Sequence, residues 1–362
     1  MTATQPTIVV TSIQEPTGAI RVMAEGARKA GWSLIVVGDR GSPERFDVAD
    51  CEFISLADQR RFDLATARAC PERHYARKNI GYLLAARGGA CAIIDTDDDN
   101  IPREDFFSLP ERRQTVPVVS ASGWVNVYRY FTDARIWPRG LPLDAVNVQP
   151  PPFEALPVRE VDCPIQQRLA DDDPDVDAIY RLLMPLPQAF RRDRRVGLAP
   201  GTWCPFNSQN TIWLPAAYPL LYLPSSCTMR ISDIWRSLIA QRIAWSNGWS
   251  VLFAGPTARQ ERNHHDLIKD FADEVPGYLH NRAIADRLAR LDIAPGEDAV
   301  PDNMRACYAA IVSMGRLDAR ELGILDAWLA DVAACARHAP HRPAPRHDRA
   351  LAESGSLAPS GS

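Results

Sequence analysis

The chain has 362 residues, a formal net charge of −4, 46% hydrophobic residues and 24% charged residues. That length allows one large domain or two modest ones with an ample core, and the near-neutral balance gives no electrostatic reason to expect nucleic acid or an anionic membrane as partner. Eight cysteines stand singly, without a CxxC pair, which reads as buried reduced thiols rather than a zinc site or disulfide frame.

The opening MTATQPTIVVTSI lacks the basic region and long apolar run of a signal peptide. No apolar stretch is long enough to span a bilayer, so a cytoplasmic location is expected. TIVVTSI (7–13) is short, β-branched and apolar, the pattern of a buried strand. A helix follows over 15–31, opened at Pro16 and Thr17 and closed at Gly31. WSLIVVGD (32–39) and CEFISL (51–56) read as further strands. HYARKNIGYLLAARGGA (74–90) is a helix stopped by Gly88 and Gly89. CAIID is the next strand.

Buried strands alternating with amphipathic helices predict a parallel sheet covered on both faces. Ligands collect at the carboxyl ends of such strands, where Asp39 and the acidic run after Ile94 both fall. Beyond Asn100 the texture changes. VPVVSASGWVNVYRYF (116–131) predicts two shorter strands, and the proline-rich 137–157 a loop. RISDIWRSLIAQRIAWS (230–246) has helical spacing, and WSVLFAG (249–255) follows as a strand. Residues 278–336 read as mostly helical. The end, 337–362, lacks apolar periodicity and reads as disordered.

The stretch IIDTDDDN (93–100) puts four aspartates within five positions directly after an apolar strand. Like charges packed this way repel, so a positive partner is expected. Clustered carboxylates suit a hard divalent cation, Mg2+ or Mn2+. A calcium-binding EF-hand loop is excluded, because DTDDDNIPREDF has no mid-loop glycine. An Asp-x-Asp pair fits, either Asp95 with Asp97 or Asp97 with Asp99. The competing reading is an acidic turn capping a helix, but a cap needs only one acid.

The segment YARKNIGYLLAARGGACAIIDTDDDN resembles the STELLO-type glycosyltransferase domain. The likeness continues in order through TSIQEPTGAIRVMAE, GWSLIVVGDR, WVNVY, WPRGLPL, DPDVDAIYRL, WCPFNSQNT, RISDIWRSLIAQR and QERNHHDLIKDF, from about residue 7 to 275. The resemblance implies an α/β, GT-A-like nucleotide-diphospho-sugar transferase fold: a mostly parallel central sheet flanked by helices, with a helical C-terminal extension. It places a transferase domain at 1–277 (nucleotide half 1–135, acceptor half 136–277), the extension at 278–336 and the tail at 337–362.

It further implies metal-dependent, inverting transfer from a nucleoside diphosphate sugar, UDP-linked, to a glycan or other hydroxyl acceptor. A metal on Asp97 and Asp99, completed by His264, would offset the charge of the leaving diphosphate. The roles of Asp95, Asp97, Asp98 and Asp99 stay open among themselves. Thr11, Pro16, Thr17, Asp39, Arg77, Lys78, Asn79, Asp97 and Asp98 are the implied nucleotide-sugar contacts, with Arg262 on the diphosphate. For Asp39 a turn role before RGSPE competes, and for Arg77 and Lys78 a cationic surface helix.

On the acceptor side, Asn207, Gln209 and Asn210 offer amides to sugar hydroxyls, with Trp203 and Phe206 able to stack on sugar faces. A polar loop satisfying its own backbone is the alternative. Asp233, opening the helix after Arg230, is the implied general base, with Arg236 and Arg242 orienting it or binding phosphate. DDDPDVDAIYRL (171–182) reads as an acidic turn opening a helix near the acceptor cleft. The alternatives are a nucleotide-sugar mutase and a transferase-like scaffold without activity. Peripheral association with envelope-polysaccharide machinery is the partner expectation.

Overall fold

The computed structural model describes residues 5–263 and 265–338. The chain opens with β1 (Thr7–Thr11), α1 (Gly18–Ala30), β2 (Ser33–Val37), β3 (Glu52–Ile54), α2 (Leu56–Gln59) and α3 (Ala65–Ala69). Next come α4 (Lys78–Arg87), β4 (Ile93–Thr96), β5 (Asn100–Pro102), β6 (Arg113–Val119), β7 (Gly123–Trp124) and β8 (Val158–Asp171). The second half holds α5 (Ala178–Leu183), β9 (Arg195–Leu198), β10 (Thr202–Trp203), β11 (Asn210–Trp213), α6 (Met229–Ser246) and β12 (Trp249–Gln260). It ends in α7 (Leu267–Ala289), α8 (Val300–Ser313) and α9 (Arg320–His338).

Among the described residues the main sheet runs β3-β2-β1-β4-β11-β8-β6-β9-β12-β5. Its first four strands are parallel. From β11 onward antiparallel and parallel pairs mix. The change of direction falls between β4 and β11, so the aspartates at the end of β4 lie where the topology switches. Such a crevice is where ligands bind in open α/β sheets.

Strand alternation explains the layers. Ile8 and Val10 point to one face and pack with Ile20, Met23 and Ala27 of α1. Val9, Ile35 and Val37 point to the other and pack with Ile80 and Leu83 of α4. Thr17 caps α1 by accepting from Ile20 N–H, and Gly31 ends it in the left-handed conformation at φ 70°. Gly81 lets α4 lie directly on the sheet: a Cβ there would sit 2.6 Å from Val9 Cγ1 and 2.7 Å from Val37 Cγ2.

The helical C-terminal part shares this core. Cys307, Tyr308, Leu325 and Trp328 belong to the same cluster as Ile80, Leu221 and Tyr222. The expected border at 277/278 falls inside α7, which packs along α6. Two buried carboxylates fasten the last helix. Glu321 accepts from Tyr222 Oη (2.5 Å) and from the backbone N–H groups of Ser225 and Ser226. Asp331 accepts from the N–H groups of Ala65 and Thr66, which open α3.

The stretch 116–131 gives the end of β6, the two-residue β7 and a 3-10 turn, in line with the two shorter strands expected there. The fourteen-residue β8 was not expected, because it carries buried Gln166, Gln167 and Arg168 where a core strand usually reads apolar. Of the expected disordered tail, 339–362 lies outside the described residues. No described helix is long and apolar enough to cross a membrane.

Candidate active site

A cleft of about 800 Å³ opens at the carboxyl ends of β1, β2 and β4. It is walled by the β1–α1 loop, the 70–75 loop, Asp97 to Asp99, Arg139, the start of α6 and the end of β12.

Asp95, the first acid, is not on its surface. It is fully buried and gripped by three donors: Lys78 Nζ at 2.7 Å, Arg236 Nη1 at 3.0 Å and Tyr82 Oη at 2.8 Å. Lys78 and Arg236 are the positive partners that the acidic run demanded. Burial alone would lower the Lys78 ammonium, but Asp95 and Asp97 outweigh it and hold it above its ordinary value. Lys78 also donates to Thr96 O (2.6 Å) and Asp97 Oδ1 (3.2 Å). It thereby ties the interior charge to the rim.

The next three acids face the cleft. Asp97 Oδ1 accepts from Tyr75 Oη at 2.7 Å; burial pushes its carboxyl up to about 6, against the pull of Lys78 and with a push from Asp99. Asp98 is bound from the β1–α1 loop. Its Oδ2 accepts from Ser12 Oγ and its backbone carbonyl from Thr17 Oγ1, both at 2.5 Å. Burial raises its pKa as well. Asp99 is nearly buried, and its Oδ2 accepts from Gln260 Nε2 at 2.9 Å. Its Oδ1 is buried without a hydrogen-bond partner among the described residues. Burial raises Asp99 too, opposed by Gln260 and reinforced by Asp98.

The carboxyl end of β2 is closed by Asp39, which lines the cleft. Its Oδ2 accepts from His74 N–H (2.9 Å) and its Oδ1 from Arg40 N–H (2.6 Å). Thr11 lines the cleft; Pro16 does not. Arg77 and Asn79 have inward work. Arg77 donates to Gln59 Oε1 (2.7 Å) and Cys70 O (2.9 Å). Asn79 pairs with both backbone groups of Leu223. Both ends of the Asn79 amide are used and it does not line the cleft, which corrects the expectation for Asn79, whereas Arg77, held at Nε and Nη1, does line the cleft.

The amides expected on the acceptor side are also interior. Asn207 Oδ1 accepts from Gln209 N–H, and Asn210 Nδ2 donates to Leu169 O and Thr257 Oγ1. Gln209 Nε2 donates to Gln260 Oε1 (2.8 Å), which turns the Gln260 amide nitrogen toward Asp99. Trp203 is buried against Trp124 and Trp245, and Phe206 lies by Trp213. None of these five lines the cleft. They form the packed floor behind it, and the reason is burial: a sugar would have to displace existing hydrogen bonds.

Asp233 does line the cleft. Arg139 holds it side-on, Nη1 to Oδ1 at 2.9 Å and Nη2 to Oδ2 at 2.8 Å, and reaches back to both oxygens of Asp175. Burial opposes ionisation, yet the guanidinium wins and the Asp233 carboxyl lies below its usual range. Arg139 is brought here by Gly140 at φ 87°, where a Cβ would sit 2.5 Å from Ile234 Cγ2. Arg236 serves Asp95 and Ser208, and Arg242 binds the carbonyls of Leu288 and Leu291. Neither contacts Asp233. The acidic turn at 171–177 does open a helix: Asp177 caps α5.

Arg262 lines the cleft and donates to Asp270 at 2.8 Å, while its Nε is buried without a partner among the described residues. His264 lies outside the described residues. Among those that are described, no three His, Cys, Asp or Glu side chains gather as a metal cage. Sequence reasoning missed Ser12, Arg73, Tyr75, Arg139 and Gln260. Arg139 sits within the quoted WPRGLPL, and Tyr75 within HYARK, so both were in view without a chemical reason to single them out.

A parallel first half, acids at the end of its central strand and a cleft before them make this a GT-A-like α/β domain. A family model described as STELLO glycosyltransferases matches residues 230–338. The chain is 29% identical over 295 residues to "Probable glycosyltransferase STELLO2" of Arabidopsis thaliana, covering 75% of this chain and 37% of that protein. To "Probable glycosyltransferase STELLO1" of the same plant it is 27% identical over 279 residues, 71% and 35% of the two chains. The chain is thus similar to the STELLO glycosyltransferases, and it spans a little over a third of the length of these curated relatives. Among solved structures it is similar to glucosyl-3-phosphoglycerate synthase from Mycobacterium tuberculosis in complex with phosphoglyceric acid, at 9% identity and a TM-score of 0.37, over 77% of this chain and 80% of that one.

Proposed function

We propose that this domain is a glycosyltransferase that takes a sugar from a nucleoside diphosphate sugar, UDP-linked, and passes it to a hydroxyl of a glycan or small acceptor. The observation that carries this reading is the buried, partnerless Oδ1 of Asp99 beside the raised carboxyl of Asp97. Three adjacent acids whose ionisation burial disfavours call for a cation. A buried oxygen without a partner is otherwise a net cost.

Asp97 and Asp99 would hold a divalent ion, Mg2+ or Mn2+, with substrate phosphates supplying further ligands, as hard cations commonly arrange. The ion would neutralise charge on the departing diphosphate. Gln260 orients Asp99, and Tyr75 with Lys78 orients Asp97. Ser12 and Thr17 fix Asp98 against the loop that would line the nucleotide.

Asp233 is proposed as the base for the acceptor hydroxyl, in direct displacement with inversion. Arg139 keeps it ionised, and the same grip makes it a weak base. Its replacement by Asn should therefore cost less activity than loss of Asp97 or Asp99. The deciding experiment is calorimetry with UDP, GDP and CDP, with and without Mn2+, on wild type and Asp97→Ala/Asp99→Ala. Metal-dependent binding of one nucleotide that disappears in the variant is expected. A folded wild type that binds none of them rules the transferase reading out and leaves a scaffold.

A further inference from the structure

We infer that Arg73, which the sequence did not single out, is the residue that binds the phosphates of the donor. The inference rests on the proposed function and names a contact of that same site.

It starts from the partners of the positive groups in the cleft. Arg40 is paired with Glu72, Arg77 with Gln59 and Cys70 O, Arg139 with Asp175 and Asp233, Arg230 with Glu274, and Arg262 with Asp270. Arg73 lines the cleft and is exposed. Its guanidinium makes no hydrogen bond or ion pair with any described residue. It is thus the arginine of the cleft whose whole guanidinium, among the described residues, is open for a ligand; Arg262, with Nε alone unpartnered, is anchored on Asp270.

Backbone geometry adds an independent reason. Arg73 has φ 57°, in the left-handed region that disfavours residues with a Cβ. Glycine would hold this turn more easily. A residue kept in such a conformation is a pointer to function when its surroundings fix it, and here they do. Glu72 is held by Arg40 and Arg60. His74 N–H is bound to Asp39. The His74 ring accepts from Ala76 N–H at Nδ1 and, through Nε2, meets Cys227 O at 3.0 Å. Both neighbours are tied down, and the side chain between them is not.

The ligand follows from charge and place. Arg73 stands in the loop that carries Tyr75, the partner of Asp97, on the parallel-sheet side of the cleft. One divalent ion on the aspartates leaves a diphosphate with net negative charge. A guanidinium fork matches phosphate oxygens in two-pronged fashion.

The test compares wild type with Arg73→Gly and Arg73→Lys, titrated with UDP and with uridine in the presence of Mn2+, beside GDP and CDP. UDP binding is expected to fall roughly 10- to 100-fold in Arg73→Gly, the size of a lost charged hydrogen-bond pair. Arg73→Lys should recover part of it. Uridine affinity should stay unchanged, and the melting temperature of Arg73→Gly should equal or exceed wild type. Equal UDP affinity in Arg73→Gly overturns the inference while leaving the transferase reading intact. A joint loss of UDP binding, uridine binding and thermal stability overturns it as well, showing a structural role. A wild type that binds none of the three nucleotides refutes the transferase reading itself, and the inference with it.

Discussion

Asp95 and Asp99 lie four residues apart and belong to opposite electrostatic regimes. Behind the cleft, Asp95, Lys78, Arg236 and the amides of Asn207, Gln209 and Asn210 form a packed floor of buried polar groups held by hydrogen bonds and ion pairs. On the cleft surface, Asp99 Oδ1 and the guanidinium of Arg73 lack partners among the described residues. Density of polar residues thus does not separate support from function here, and neither does an unpaired atom by itself, since Asn210 Oδ1 and Arg236 Nε in the floor also lack partners among the described residues. Incompleteness in a group that lines the cleft does. A buried polar group is normally paired, and an exception open to the cleft asks for a ligand.

The largest test of that contrast is a pair of isosteric changes. Asp95→Asn leaves Lys78 and Arg236 facing an amide in the interior, and should cost about 3–5 kcal/mol, the usual effect of breaking a buried ion pair from one side. Asp99→Asn should leave stability equal or higher, because it removes a carboxylate whose ionisation burial opposes, while abolishing metal-dependent nucleotide binding. Urea unfolding of both variants is the measurement. Equal destabilisation would erase the distinction between floor and surface.

A second test asks whether a raised pKa alone marks a ligand site. Asp177 is fully buried, and burial raises it to about 6, as with Asp97. Yet both of its oxygens are partnered, Oδ1 by Tyr180 N–H at 2.8 Å and Oδ2 by Trp137 Nε1 at 2.6 Å. A folded pKa above the unfolded one favours the folded state below about pH 4, and that advantage is lost as pH rises through 6. The stability of wild type relative to Asp177→Asn, which keeps a capping side chain, should therefore fall by up to about 3 kcal/mol across that window. Nucleotide binding should not change. A flat difference between pH 4 and 6.5 would show that Asp177 does not titrate there.

The amide floor gives a smaller effect. Asn210→Ala removes bonds to Leu169 O and Thr257 Oγ1 and should cost about 1–3 kcal/mol in unfolding. Acceptor KM should stay unchanged when measured below the melting range. A raised KM with unaltered stability would restore these amides to the acceptor side.

Much of the fold was legible because its parallel half follows local rules. TIVVT and SLIVV are short buried strands, and Thr17 and Gly31 bound the helix between them as a cap and a left-handed stop should. β8 was not legible, since its buried Gln166, Gln167 and Arg168 look like surface until their partners are known. The site divided in the same way. The acidic run pointed to a cation, but Lys78, Asn79 and the amides read as ligand contacts although the chain itself supplies their partners from segments far away in sequence. Arg73 showed the converse. Its isolation is a property of the folded molecule and leaves no mark in the local sequence CPERHYARK.

The smallest effect tests the seam between floor and surface. Thr17 Oγ1 accepts from Ile20 N–H at 3.1 Å, capping α1, and donates to the carbonyl of Asp98 at 2.5 Å. One hydroxyl therefore couples a helix end to the acidic turn. Thr17→Ala should cost about 1 kcal/mol, the value of a lost N-cap, and weaken metal-dependent nucleotide binding only a few-fold, because Ser12 still holds the Asp98 carboxylate. Thr17→Ser keeps the hydroxyl and should restore both. If Thr17→Ser recovers stability but not binding, the threonine methyl contacts the nucleotide, and the β1–α1 loop does more than position Asp98. If it recovers both, the hydroxyl is the whole of the link, and the turn carrying the acids is set by the helix that begins beside it.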